Sequence, residues 1–431
     1  MSAPPAVACS MRNSANQGLG DSLDSRFSTW LLRPYLDLGR VQAGPAHAKS
    51  IDACWEAYAD PDCTFFHPQR ALSPGFRLQL AEQAGAPYAV SDPRDLADNL
   101  RTDRWRQLCQ DLEVWPQLSS PRKCRLAVLL HAMCLYEPLL ELIPEGHSGT
   151  DHSDPDIAQL AFCRASARFM RDLSRRGAGY DSETMSAFEC IAIDERADGP
   201  VRFNATAMVF VQKAKARASL AELDDWARRL EIAFAAVKDG EHGFAAQLFE
   251  SRFHRGMGFL PQAAGDRAAT MRTMDIAEGL ARDIAPRTAA EEILWRENLH
   301  AVLESRTKEA LWLNDLDLAL SRAAEVTRID PYDSKAWIEL GQVHYLRENW
   351  PQAAEAYAVA AMLGPPASSV GRYMAGVCLR KLGLDFSAAL LFKETLEIDP
   401  VGISSRQEIL DLPDIEVLNA LKQWARSGIR L

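Results

Sequence analysis

Residues 334–365 read SKAWIELGQVHYLRENWPQAAEAYAVAAMLGP. The stretch holds two helical patterns joined by a short polar turn, and its residue types say how they meet. Gly341 in the first and Ala353 in the second are small enough to let the two helices approach closely. Trp337, Tyr345 and Tyr357 supply the volume that fills the groove between this pair and its neighbours. Pro365 cannot continue a helix, so the chain must turn there. A helix pair of this kind cannot bury its apolar face alone, and it calls for similar pairs on either side.

Such pairs are present. Arg328-Ile329-Asp330-Pro331, Met362-Leu363-Gly364-Pro365 and Glu397-Ile398-Asp399-Pro400 close similar phrases, with prolines 34 and 35 residues apart. The middle copy, Trp337-x2-Leu340-Gly341-x2-His344-Tyr345 with Ala353-x3-Tyr357, Ala360 and Pro365, resembles the tetratricopeptide repeat (TPR) family. His344 stands where that family has a tyrosine. The following copy keeps Gly376, Gly383, Ala388, Phe392 and Pro400, with Arg372 in place of the tryptophan. The preceding copy, from about His300, keeps Ala319 and Pro331, and Ala323 takes the place of an aromatic.

The resemblance covers about a quarter of the chain. It implies an all-α solenoid of helical hairpins in which helix A of each repeat lines a concave wall. Family ligands lie on that wall, so the expected partner is a protein or peptide. Counting from the repeat starts, the wall positions are Lys308, Trp312, Lys335, Gln342, Tyr345, Tyr373, Arg380 and Lys381. Long cations beside aromatics can grip a carboxylate or stack on a side chain, which suits an acidic or amphipathic segment. Members that clamp a C-terminal carboxylate place Asn on helix A. Here Glu339, Gln342 and Met374 stand there, which argues against that mode.

Upstream the pattern stays helical while the repeat erodes. Ser219 reads as an N-cap with Glu222 completing a capping box, and Leu223, Trp226, Leu230, Phe234 and Val237 share one face before Gly240. Residues 244–259, 267–281 and 294–312 read as further helices, as do 158–174, 185–193 and 205–215. Before residue 149, residues 95–112 and 121–142 are helical, and aromatics and prolines are dense between Phe27 and Tyr88. The expected organisation is a disordered tail over 1–20, an N-terminal helical domain over 21–149 and irregular TPR-like pairs over 156–299. The TPR array follows over 300–402, and a capping segment over 403–431 with its helix at about 415–426.

The net charge of −11 is a poor footprint for nucleic acid, since phosphate binding needs clustered cations. The most apolar run, residues 126–143, is interrupted by His131, Glu137, Pro138 and Glu141, so it reads as a buried helix and not a membrane span. Nine cysteines without a CxxC pair fit free thiols in a reducing cytoplasm.

His147, Asp151, His152 and Asp154 form the one cluster with metal-ligand character. They lie in a turn-forming stretch with no scaffold to fix their geometry, so a solvated loop is the reading and no cofactor is expected. Cys54, Cys63 and His67 match no zinc spacing and sit among core-like aromatics, while Cys124, Cys134 and Cys163 fall on apolar helix faces. His254, beside Glu250, Arg252 and Arg255, is conceivable as a general base but reads as a packing residue. No GxSxG, HExxH, HRD, DFG or phosphate-loop pattern occurs. The expected function is that of a peptide-binding scaffold serving a biosynthetic or regulatory partner. The alternative is an enzyme whose active site lies in the N-terminal or middle helices, with the repeats docking its substrate.

Overall fold

A computed structural model describes residues 55–56, 58–59, 92–132, 135–143, 152–176, 182–331, 333–363, 367–398, 403–414 and 416–427. The expected tail and Cys54, Cys63, His67, Cys134, His147 and Asp151 lie outside them. Among the described residues every regular element is helical. The chain forms two compact units, Gly44–Leu313 and Asn314–Leu431.

In the first unit, α1 (Asp103–Glu113) follows two short 3-10 turns, and α2 (Ser120–Ala132), α3 (Tyr136–Leu142) and α4 (Pro155–Arg176) succeed it. Then come α5 (Ser182–Ile193), α6 (Gly199–Lys215), α7 (Leu220–Gly240), α8 (Gly243–Met257), the single turn α9 (Phe259–Ala263), α10 (Arg267–Asp283) and α11 (Ala289–Trp312). From α4 to α8 each helix packs on the next, α8 packs on α10 and α11, and α2 and α3 both rest on α4.

Three expectations change here. The apolar run at 126–143 is two helices, because Pro138 lies in the first turn of α3, where a missing N–H costs nothing, instead of in a helix interior. Residues 95–112 do not form one helix: Thr102 caps α1 by accepting from the Trp105 N–H, and the chain before it makes only 3-10 turns. Ser219 does cap α7, accepting from the Glu222 N–H at 3.2 Å, but the Glu222 carboxylate goes to Lys213 Nζ at 2.9 Å. The reciprocal capping box is Thr288 with Glu291, at the head of α11.

Two large apolar clusters lie among the described residues of this unit. One gathers Trp55, Tyr58, Trp105, Leu108, Leu126, Leu130 and Leu139, and the other Phe162, Phe188, Phe203, Phe210, Leu230 and Phe249. Polar groups are threaded through them. Arg252 is 1% exposed and reaches Glu297 Oε2 at 3.4 Å, while Asn298 Nδ2 donates to Ser251 Oγ at 2.9 Å.

The second unit is α12 (Leu316–Ile329), α13 (Ser334–Leu346), α14 (Trp350–Met362), α15 (Ser368–Lys381), α16 (Asp385–Ile398), α17 (Ile403–Leu410) and α18 (Glu416–Ser427). Each packs on the next. Within a repeat, closeness depends on glycine: a Cβ at Gly341 would lie 2.8 Å from Tyr357 ring carbons, and one at Gly376 2.6 Å from Phe392 Cε1. Between repeats the close neighbour is backbone, because a Cβ at Gly371 would lie 2.7 Å from the Tyr357 carbonyl oxygen. Tyr357 and Phe392 are buried, as are Ala319, Ala323, Ala353, Ala360 and Ala388. Trp337 does something different, donating its indole N–H to the Pro331 carbonyl at 2.7 Å and so clamping the turn between hairpins.

The turn inside each hairpin also recurs. Asn314, Glu348 and Gly383 all adopt positive φ (61°, 59° and 75°), and they stand at the same 34- and 35-residue spacing as the prolines. Beyond α16 the chain makes a further short helix, α17, before the closing helix α18. The amphipathic α18 lays Leu418 and Ala425 against the stack.

Candidate functional site

Six of the eight wall positions fall in the second unit. Helix α13 touches α15, and α15 reaches α17 through Arg380 and Tyr373, so the three helices carry a strip of neighbouring side chains. Ile338, Tyr345, Tyr373 and Val377 are half-buried, backed by the core of Tyr357, Ala375, Leu379 and Phe392. Gln342, Leu346 and Val370 are exposed beside them, and Lys335 is half-buried at the start of α13. The helices that carry this strip are set by the glycine contacts, since any larger residue at 341 or 376 would push helix A off helix B.

The charges on the strip are not where sequence spacing suggests. Arg380 forms an ion pair with Glu408 of α17, so its guanidinium is already matched. Tyr373 hydrogen-bonds Ser404 of the same helix and packs on Phe392 with ring centroids 5.8 Å apart, and burial raises its phenol above the ordinary tyrosine value. Lys381 sits at the edge, its ammonium 5.8 Å from the Trp350 ring. Trp350 in turn meets Tyr345 edge-on at 5.0 Å. Behind the strip, burial pushes the Cys378 thiol up to about 12 and also raises Tyr357, which keeps both neutral. His344, in the slot of the family's tyrosine, is half-buried, and burial lowers its basicity.

Of the positions expected from sequence, Lys335, Gln342, Tyr345, Tyr373, Arg380 and Lys381 lie on α13 and α15; Ile338, Val377, Ser404 and Glu408, which spacing did not single out, lie on the same helices and on α17. Helix α17 is short and carries no repeat signature, so no spacing in the sequence announced that it would extend the wall. The other two wall positions belong to the first unit. There Lys308 pairs with Glu304 at 2.5 Å, and Arg267 stacks over the Trp312 ring at 5.4 Å.

The metal-like cluster resolves differently. Asp154 caps α4, accepting from the Asp156 N–H at 2.9 Å. His152 is buried with Nδ1 3.3 Å from Asp194 Oδ2, and Arg196 holds that carboxylate down at about 2. Among the described residues no three His, Cys, Asp or Glu side chains converge as metal ligands. His254 packs edge-on against Phe253 and is made less basic by burial. Among the described residues no helix is long and apolar enough to cross a membrane.

No family model matches the chain, and no curated protein matches it. Among solved structures, a chain of the crystal structure of the APC/C hetero-tetramer Cut9-Hcn1 is similar over 97% of this chain and 81% of that one. The identity is 13% and the TM-score 0.30, a level of likeness that carries no argument about function.

Proposed function

We propose that the chain is a protein-binding scaffold whose strip on α13, α15 and α17 receives an amphipathic segment of a partner. The observation that carries this reading is the row Ile338, Tyr345, Tyr373 and Val377, apolar side chains that pack on the core with one side and remain half-exposed on the other. Aromatic residues held rigid by a packed core give a partner large contact area at low entropic cost. The pairing of Arg380 with Glu408 removes the strongest reason for an acidic guest and leaves apolar side chains as the main determinant. On this reading the TPR resemblance reflects shared use of the helix A wall, in the cytoplasm, with no chemistry performed on the partner.

A photo-crosslinking amino acid placed at Gln342, on the strip, and at Gln352, exposed on α14, tests the reading in the native host. Adducts to one discrete partner should form from position 342 and not from 352, and Tyr373→Ala should abolish them. Equal adducts from both positions, or adducts indifferent to Tyr373→Ala, would move the site elsewhere.

A further inference from the structure

Tyr373, Val377 and Arg380, four and three residues apart, share one face of α15, and Ser404 and Glu408 share one face of α17. The two rows meet, since Tyr373 and Ser404 hydrogen-bond each other and Arg380 pairs with Glu408. The Arg380 and Glu408 side chains are 31% and 25% exposed, so the ion pair is half sunk into the strip. Lys381, the next cation along, lies over the Trp350 ring instead, 5.8 Å from its centroid.

The pair carries no net charge, and its hydrogen-bonding capacity is not used up. Arg380 Nη1 donates to Glu408 Oε2, and among the described residues no other hydrogen bond or ion pair engages either side chain. A guanidinium keeps further N–H donors after one such contact, and a carboxylate keeps its second oxygen as an acceptor. Donors and an acceptor thus stand side by side at the end of an apolar and aromatic row. A carboxylate arriving there gains the guanidinium but meets Glu408, and an ammonium gains Glu408 but meets Arg380. Like charges brought together at an interface are heavily penalised, and such repulsion is a common source of specificity. A group that accepts and donates without charge meets neither penalty. The carboxamide of Asn or Gln does both, through its oxygen and its NH2. Burial does most to raise the Tyr373 phenol, and beyond that Glu408 raises it while Arg380 lowers it, as a balanced pair beside it must.

We propose, resting on the scaffold reading above, that Arg380 and Glu408 together are the specificity element of the strip, accepting an uncharged amphipathic segment that sets an Asn or Gln carboxamide against the pair and turning away segments that bring a net charge to it. The carboxamide oxygen accepts from an Arg380 N–H while its NH2 donates to Glu408 Oε1. The apolar face of the same segment lies on Ile338, Tyr345, Tyr373 and Val377.

The test pans a random peptide library displayed on phage against the full chain and keeps the peptides that lose binding to Tyr373→Ala. If that variant loses its helical circular dichroism, Val370→Gln, changed only at an exposed side chain of the strip, takes its place. The unaltered chain should recover uncharged peptides enriched in Asn and Gln. Glu408→Gln, which leaves the guanidinium unmatched, should bind acidic peptides about tenfold more tightly than the unaltered chain does. Arg380→Gln should show the mirror preference, for basic peptides. Arg380→Glu combined with Glu408→Arg rebuilds a neutral pair and should return the original selection, which a merely structural role for the two residues would not produce. The same peptide charges from every one of these chains would overturn the proposal and leave the scaffold reading standing. Recovery of no strip-dependent peptide at all would overturn the scaffold reading, and the proposal with it.

Discussion

Gly376 lies so close to Phe392 that a methyl group on its Cα would meet Cε1 of the ring at 2.6 Å. The ring cannot retreat, because it is buried against Tyr373 and the core behind it. Gly376→Ala should therefore cost about 2 kcal/mol through overpacking, and Gly341→Ala, facing Tyr357, a similar amount. Gly371→Ala meets backbone instead of a side chain and should cost about 3 kcal/mol. Urea unfolding midpoints check all three. Gly279→Ala is the control: exposed inside α10 with nothing near its Cβ, it should gain up to about 1 kcal/mol from helix propensity.

The hairpin turns permit a cleaner measurement of backbone strain. Gly383 has φ +75° and an open Cβ direction, so Gly383→Ala should lose about 1 kcal/mol through conformation alone. Glu348 holds the same conformation with a side chain, and Glu348→Gly should recover up to about 1 kcal/mol. Opposite shifts in thermal midpoint are the expected outcome, and shifts of the same sign would contradict the strain argument.

His131 makes stability depend on acid. It is buried beside Ser166 at 2.7 Å, and burial lowers its value from 6.5 to about 4. The unfolded chain takes up a proton below about pH 6.5 that the folded chain refuses until about pH 4. Its contribution is thus fully present above pH 6.5 and is lost as pH falls toward 4, amounting to roughly 2 kcal/mol at pH 5. Between pH 7.5 and 5 the parent should lose more stability than His131→Gln, which has no proton to take up. Parallel pH profiles would show that the side chain is not held neutral.

Arg252 and Glu297 should be coupled. Arg252→Met removes the guanidinium that faces the buried Glu297 carboxylate and should cost about 3–5 kcal/mol. Arg252→Met combined with Glu297→Gln should cost clearly less than the two single changes added together. Chemical denaturation of the four proteins closes the cycle.

The hairpins were legible from residues whose reasons are local. Gly341, Ala353, Tyr357 and a proline at fixed spacing describe one packing solution, and any chain that repeats them must stack. The site was legible only in part, because a wall depends on partners that spacing does not announce. Arg380 looks free in the sequence, but Glu408 reaches it from a helix without any repeat mark. Trp55 looked like core, and nothing near it signalled that Tyr58 would find Asp111 and Arg122 more than fifty residues away. Asp154 and His152 read as part of a solvated loop because the sequence does not show which neighbours engage them; His152 is in fact buried against Asp194, and Asp154 caps α4.

Asn314, Glu348 and Gly383 mark equivalent points on successive hairpins, in the same backbone state and almost the same number of residues apart. A chain with such joints can change length without redesign. Copying the segment from one joint to the next would insert a whole hairpin whose ends already carry the dihedral angles the flanking helices require. The strip on the helix A side would grow by one tread for each copy, so reach along a partner is a quantity that gene duplication can adjust while every seam keeps its fit.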